Sequence, residues 1–307
     1  MKYRARIICA FLAAALLVVC CPLESLANQD YNEAETEVRT WNGFVYTCDW
    51  GFDGKKSEIS LTILNYKGRK RELTIPKKID GMKVGSVYSL SKAKNLRTLH
   101  IPNGVMLTSS ALATAPKLKK ITVSKSNRMY SVKNNALLNK KGSVLIDYPG
   151  GYSVLRVPGS VTRIGSSRLG YGLWGSRLKS VRWGKNLKVL GQYAFTENNR
   201  LETITINRNV HTVGEGAFKG CKKLKKAVLG RNVKRVGIWA FSECDNLKSV
   251  YIYNKNCKIE ADESMCEYGL NPDLIVSGNK TTIYGWKGST AEKYAQKYGL
   301  TFKVLKK

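Results

Sequence analysis

A 23-residue period constrains this chain more than any other feature of its sequence. The middle copy reads Leu201, Ile204, Ile206, Val210, Val213, Gly214, Ala217, Phe218. The copy before it supplies Leu178, Val181, Trp183, Leu187, Leu190, Gly191, Ala194 and Phe195, and the copy after it Leu224, Ala227, Leu229, Val233, Val236, Gly237, Ala240 and Phe241. Leu247, Val250 and Ile252 begin another. Upstream, Leu96/Leu99/Ile101 and Leu118/Ile121/Val123 keep the first half of the unit, while Leu73/Ile75 and Leu155/Val157 add two more strand signals. That makes eight signals, spaced at 22 to 26 residues in the regular part. Repeats of this length are the mark of a solenoid, in which each unit is one short piece of structure stacked on the next.

The alternating apolar pair inside each unit is the period-two signature of a short strand with one buried face. One unit cannot cover that face alone, so the copies are expected to stack into a parallel ladder whose inward side chains fuse into one core. Eight rungs at about 4.8 Å make a ladder about 35 Å long. Gly after the second apolar pair is expected to turn the chain in a conformation that a side chain opposes. The Phe is expected to fill the core. The fold class is therefore a mostly β repeat solenoid with irregular or short helical turns.

Both ends of a ladder need covering. Gly43 to Thr47 and Ile59 to Ile63 alternate as strands around Gly51-Phe52-Asp53-Gly54, a β-hairpin cap. At the other end Ser289-Thr290-Ala291-Glu292 is a capping box, so a helix is expected from Thr290, with Ala291, Tyr294, Ala295 and Tyr298 on one apolar stripe and Gly299 as its stop. Leu300 to Val304 reads as a final strand. The expected division is a signal peptide at 1–27, an N-terminal β cap at 28–72, repeats at 73–255 and a C-terminal cap at 256–307.

Lys2, Arg4 and Arg6 precede an apolar run from Ile7 to Val19, and Ser25-Leu26-Ala27 offers small residues before a cut, so export with cleavage after Ala27 is expected. The run is short for a membrane span. Cys20 and Cys21 allow a lipid-anchor reading, which the bulky Val19 opposes. No sorting tail follows Leu305, and covalent attachment to peptidoglycan is not expected. Cleavage leaves Cys48, Cys221, Cys244, Cys257 and Cys266, whose spacings match no zinc template. Cys257 with Cys266 is the favoured pair for any bridge. Cys221 and Cys244, at one repeat position, read as small buried hydrophobes.

The unit L-x-x-I-x-I-x-x-x-V-x-x-I-G-x-x-A-F-x-x-C, present as Leu201 to Cys221 and Leu224 to Cys244, resembles the BspA-like leucine-rich repeat of bacterial surface and secreted proteins. The segments Leu73 to Val84 and Ile283 to Gly299 are similar to others common in that family, so the resemblance extends over about residues 60 to 307. It implies a leucine-rich-repeat coil and surface binding or adhesion, with varied ligands. Two stretches depart from the pattern: Val105 to Ala115 lacks Ile-Gly and Ala-Phe, and Tyr171-Gly-Leu-Trp174 inserts into a repeat. Either could be a local binding loop.

Catalysis finds little support. The two imidazoles, His100 and His211, occupy outward slots, and no nucleophile elbow, zinc-protease motif or phosphate loop is present. No cofactor or metal site is expected, and an extracellular enzyme with an unrecognised site is the weakest of the alternatives. Charge carries more. The chain has 52 Lys+Arg against 22 Asp+Glu, a formal charge of +30. From Gly81 to Thr196 there are 20 basic residues and one acid, Asp147. Stacking puts residues one period apart on adjacent rungs, so Lys185/Arg208/Arg231 form one column and Lys188/His211/Lys234 another. By strand parity Thr98/His100, Lys120/Thr122, Arg182, Thr203/Thr205, Lys226 and Ser249/Tyr251 face outward, whereas Trp183 takes an inward slot. Such a face suits an anionic polysaccharide, a teichoic polymer, or a host surface glycan or protein. Nucleic acid would ask for more aromatics free to stack. A well-hydrated surface that merely keeps the chain soluble is the plain alternative, and a host-protein adhesin acting through the irregular loops is another.

Overall fold

The computed structural model of the chain describes residues 38–49, 60–108, 110–165, 172–206, 209–264, 274–277 and 280–306. The expected signal peptide, Arg208, Tyr171 and Cys266 lie outside the described residues. The molecule is a strand-rich solenoid of about ten turns with one short helix.

Strand Thr203–Ile206 pairs in parallel with Lys226–Leu229, and that strand with Ser249–Ile252, so that Ile206, Leu229 and Ile252 lie in one register. Ile204, Ala227 and Val250 form the adjacent row, and all six side chains are buried. This is the lateral pairing that the repeat predicted. The ladder continues into the C-terminal cap through Thr282–Gly285 and Phe302–Val304.

A second ladder makes the next side of each turn: Arg163–Ile164, Val189–Leu190, Thr212–Val213, Arg235–Val236 and Lys258–Ile259, all parallel. The third side has no regular strand, yet its backbone groups still find partners one turn away. Phe195 donates its N–H to Ala217 at 2.7 Å, and Phe218 to Ala240 at 2.8 Å. Buried amides are thereby satisfied all round the coil. Inside, Phe195, Phe218 and Phe241 stack with centroids 5.3 and 5.4 Å apart and planes within 4° and 3°.

The glycine after the second apolar pair has a different reason from the one the sequence offered. Gly191, Gly214 and Gly237 are absent from the left-handed backbone positions. A Cβ there would lie 2.8 Å from Ile164 O, 2.7 Å from Gly191 C and 2.5 Å from Glu215 N respectively. Close approach of the preceding turn, not backbone conformation, excludes a side chain.

The eight expected strands are all present: Glu72–Thr74, Thr98–Ile101, Lys120–Val123, Val154–Arg156, Ser180–Arg182 and the three above. They do not bury one continuous core. An antiparallel meander, Tyr130–Lys133, Ala136–Asn139 and Val144–Asp147, stands as a wall between two clusters. Leu137 and Ile146 join the front cluster, while Ala136, Leu138 and Leu145 join the back one. The meander turns at Asn134-Asn135, both with positive φ (52° and 58°).

Asp147 lies fully buried beside this wall. Its carboxylate accepts from Leu112 N at 2.8 Å and Tyr148 N at 2.7 Å. Burial outweighs those bonds and pushes its pKa up to about 7.

At the front, Phe44–Asp49 and Ser60–Tyr66 pair antiparallel as expected, with the tight turn Asn42-Gly43 adding a further strand, Val38–Trp41. Ser60–Tyr66 pairs in parallel with Met82–Val87, which joins the cap to the coil. At the back the helix spans Thr290–Lys297, with Ser289 Oγ accepting from Glu292 N. Glu292 reaches Gly288 N at 2.6 Å, one residue before the N-cap. Ala291, Tyr294 and Ala295 are buried, and Gly299 ends the helix at φ 64°. Cys221 and Cys244 are buried free thiols, each donating to a backbone carbonyl at 3.2 Å. Cys257, the favoured half of a bridge, is a buried free thiol as well, its pKa pushed up to about 12 by burial.

Candidate binding face

The outward side of the strand ladder and the corner beside it hold most of the residues singled out in the sequence. Lys188, His211 and Lys234 stack one per turn: His211 donates its N–H to Lys188 O and Lys234 to His211 O, both at 2.8 Å. Lys188 and Lys234 are exposed and His211 half-buried. Lys185 and Arg231 are exposed on the same corner, and Asn209 Nδ2 donates to Lys185 O at 2.7 Å. Arg208, the middle of that column, lies outside the described residues.

Among the described residues none of the cations of this corner is paired with an acid. Among the described residues the ion pairs are elsewhere: Lys225 with Glu202 at 2.9 Å, Arg235 with Glu260 at 2.8 Å, Lys219 with Glu243 at 3.1 Å and Lys297 with Glu263 at 2.6 Å. None of Lys185, Lys188, Arg231, Lys234 or Arg182 joins an ion pair there. Glu197, Glu215 and Glu243 instead sit on or beside the third side, where Tyr193 N bonds Glu215 O and Glu197 N bonds Lys219 O. Charge is thus segregated around the coil.

On the strand face, Lys226 aligns with Thr203 and Ser249, and Tyr251 with Thr205, Val228 and Tyr284. Tyr251 and Tyr284 stack at 4.4 Å and 8°, and Lys226 Nζ lies 4.6 Å from the Tyr251 centroid. Both faces of Tyr251 are therefore taken, leaving its edge and hydroxyl for a partner. Arg182 is exposed beside Arg156 in register. Trp183, expected in the core, is half-buried. It packs edge-on against Phe195 at 5.9 Å, and its indole N–H reaches Thr205 O at 2.7 Å, bridging the gap between two segments of the strand ladder.

Arg156 and Tyr284 were not singled out from sequence, although the strand signal at Leu155 places Arg156 outward by parity; Tyr284 is found by its register with Tyr251. His100 does face outward, and it is tightly held: Nδ1 lies 2.5 Å from Thr122 Oγ1 and Nε2 2.6 Å from Glu72 Oε1. Among the described residues no cluster of His, Cys, Asp and Glu could hold a metal ion, and no helix is long and apolar enough to cross a membrane.

Residues 153–267 match the family model of the BspA type leucine rich repeat region, in six copies. This stretch is a BspA-type leucine-rich repeat region. Its front boundary falls just behind the meander, so the BspA-type match is shorter than the span of the resemblance, because the turns before it lack the Ile-Gly and Ala-Phe positions. Solved structures with similar folds include a leucine-rich repeat protein from Eubacterium ventriosum, at 16% identity over 69% of this chain and 77% of that one, TM-score 0.41. Another is the pneumococcal vaccine antigen PcpA, at 14% identity over 89% and 99%, TM-score 0.41. A third is a leucine rich cell surface protein from Faecalibacterium prausnitzii, at 16% over 80% and 96%, TM-score 0.38. No curated protein sequence matches the chain.

Proposed function

We propose that the chain is exported and serves as a non-enzymatic interaction or adhesion protein at the bacterial surface, holding an anionic polymer or glycan along the corner formed by Lys185, Lys188, Arg231 and Lys234 and the neighbouring strand face. The observation that carries this reading is the distribution of charge: among the described residues, exposed cations outside every ion pair on one corner, with Glu197, Glu215 and Glu243 on or beside another side. Like charges about 5 Å apart repel, and an anionic polymer running along the stack would relieve them while an isolated small anion would touch one or two rungs. Sugars and phosphates fit the hydroxyls of Thr203 and Thr205 alongside. Base stacking does not fit Tyr251, whose faces are covered.

The test is binding to immobilised heparin and to teichoic acid in rising salt. Retention should fall steeply as ionic strength shortens the screening length to about 8 Å and below. The pair R231E/K234E should weaken it by about tenfold or more, with folding intact at these exposed positions. Affinity indifferent to salt would remove the polyanion. A second reading is favoured by Trp174, exposed at 41% in the inserted stretch. If W174A abolishes attachment to host protein while R231E/K234E leaves it unchanged, the irregular loop is the binding element. Export is tested by the mature N-terminus, expected at Asn28.

A further inference from the structure

Away from the basic corner, the tip of the N-terminal hairpin overhangs the front end of the strand face and closes a cleft of about 400 Å³, lined by Trp41, Asn42 and Phe44 from the hairpin and by Lys70, Glu72 and His100 among others from the coil. The hairpin wall is fixed in place. The Asn42-Gly43 turn has the two positive φ angles of a tight hairpin, 46° and 85°, and Gly43 O accepts from Lys67 N at 2.8 Å. Gly43 also packs so closely on Gly68 that a Cβ would lie 2.9 Å from its Cα. The Trp41 and Phe44 rings stack at 6.2 Å and 20°.

The opposite wall is polar and equally ordered. The His100 imidazole is held at both nitrogens, by Thr122 and by Glu72. Glu72 Oε1 takes that bond, and its second oxygen is left to accept from a ligand. Lys70 and Thr74 are exposed at the rim. Among the residues that line the cleft Lys70 balances Glu72, so the lining itself carries little net charge in a chain of +30. An aromatic wall with an amide at its turn, opposite a carboxylate and a hydroxyl, is a donor and acceptor set for a polyhydroxylated ring, whose C–H face packs on an aromatic while its hydroxyls bond planar polar groups.

We infer that this cleft seats one neutral pyranose unit of a saccharide, its ring against Trp41 and its hydroxyls on the second oxygen of Glu72, which His100 holds in place. The site is separate from the basic corner and does not depend on it. A single sugar ring has few atoms to contribute, so Kd is expected at about 1 mM.

The test is saturation-transfer NMR on the mature full chain with the methyl pyranosides of glucose, galactose, mannose and N-acetylglucosamine, and with an acidic tripeptide as the competing probe. At least one glycoside should receive saturation, with an affinity unchanged when salt is raised. W41A should weaken it by about tenfold or more. Should W41A disturb the cap, E72Q, at a carboxylate 68% exposed, keeps the fold and is expected to weaken binding by a similar factor. R231E/K234E should leave it untouched, so failure here and failure of the polyanion reading are separable. Absence of transfer to every glycoside, binding that survives both W41A and E72Q, or a response to the tripeptide alone overturns the inference.

Discussion

The back of the coil, residues 153–267, and its front, residues 72–147, meet the same packing requirement with different parts. In the back, each inward position carries a similar residue from turn to turn, so Phe lies flat on Phe, and the backbone amides find carbonyls one turn away. In the front, side chains take over that duty. The buried Tyr130 hydroxyl accepts from Leu107 N at 3.0 Å, Asn127 Oδ1 accepts from Met129 N and Tyr130 N at 2.9 and 2.8 Å, and Asp147 accepts from Leu112 N. A turn without Ile-Gly and Ala-Phe cannot nest on its neighbour, and polar side chains fill the hydrogen-bonding gaps that result.

Breaking the back should therefore be a matter of volume. Phe218 is fully buried between two parallel rings, and F218A is expected to lose about 3–5 kcal/mol, the range for truncating a core aromatic. Urea unfolding followed by circular dichroism measures it; a loss under about 1 kcal/mol would mean that the core closes over the missing ring and that its volume contributes little. G214A probes the close approach. Its Cβ would fall 2.7 Å from Gly191 C, with backbone on all sides, and overpacking of this kind removes about 1–3 kcal/mol. A neutral G214A would mean that the two turns part at little cost and that close approach does not exclude a side chain here.

Asp147 gives the front a pH dependence in the acidic to neutral range, whereas the groups shifted furthest in the back, the thiols of Cys221 and Cys257, are raised further into the alkaline range. Between about pH 4 and pH 7 the folded chain keeps a proton on this buried carboxyl that the unfolded chain has released. Its stabilisation is full below about pH 4, declines as pH rises, and is lost through about pH 7. Unfolding of wild type should thus grow easier from about pH 5 to pH 8, and D147N should flatten the trend. The two carboxyl oxygens accept from Leu112 N and Tyr148 N, whereas an amide has one oxygen and turns its NH2 toward one of them, so D147N should also lose about 1–3 kcal/mol at pH 5. A wild-type profile with no such slope would place the proton elsewhere.

The same contrast explains what could be read in advance. Eight strands and the columns at Lys188, His211 and Lys234 follow from apolar spacing, because inward Leu and Ile positions fix both the register and the parity of everything between them, and the helix start at Thr290 follows from its capping box. The meander left a local trace, Asn134-Asn135 between two alternating runs, that a search for 23-residue spacing passes over. Asp147 left none: a lone acid in a basic stretch reads as scarcity, and its burial exists only once Leu112 is folded against it. The Trp41 and His100 cleft was equally hidden, since a hairpin tip and a coil strand distant in sequence make it together.

The smallest effect sharpens the comparison furthest. On the third side of the back coil, Glu197, Gly220 and Glu243 occupy one repeat position, and all three have positive φ: 56°, 70° and 57°. Only Gly takes this conformation freely; a side chain there is opposed by about 1–2 kcal/mol, partly offset because Gly loses more entropy on folding, by about 0.5–1 kcal/mol. E197G should therefore stabilise the chain by a few tenths to about 1 kcal/mol, read as a rise in the urea midpoint with an unchanged slope. Glu197 joins no ion pair among the described residues, which makes it a cleaner site than Glu243 with its Lys219 partner. A gain transferred in this way, from one turn to the next by position alone, requires that turns be interchangeable. The front offers no such column, and a fall in stability for E197G would mean that the back does not either.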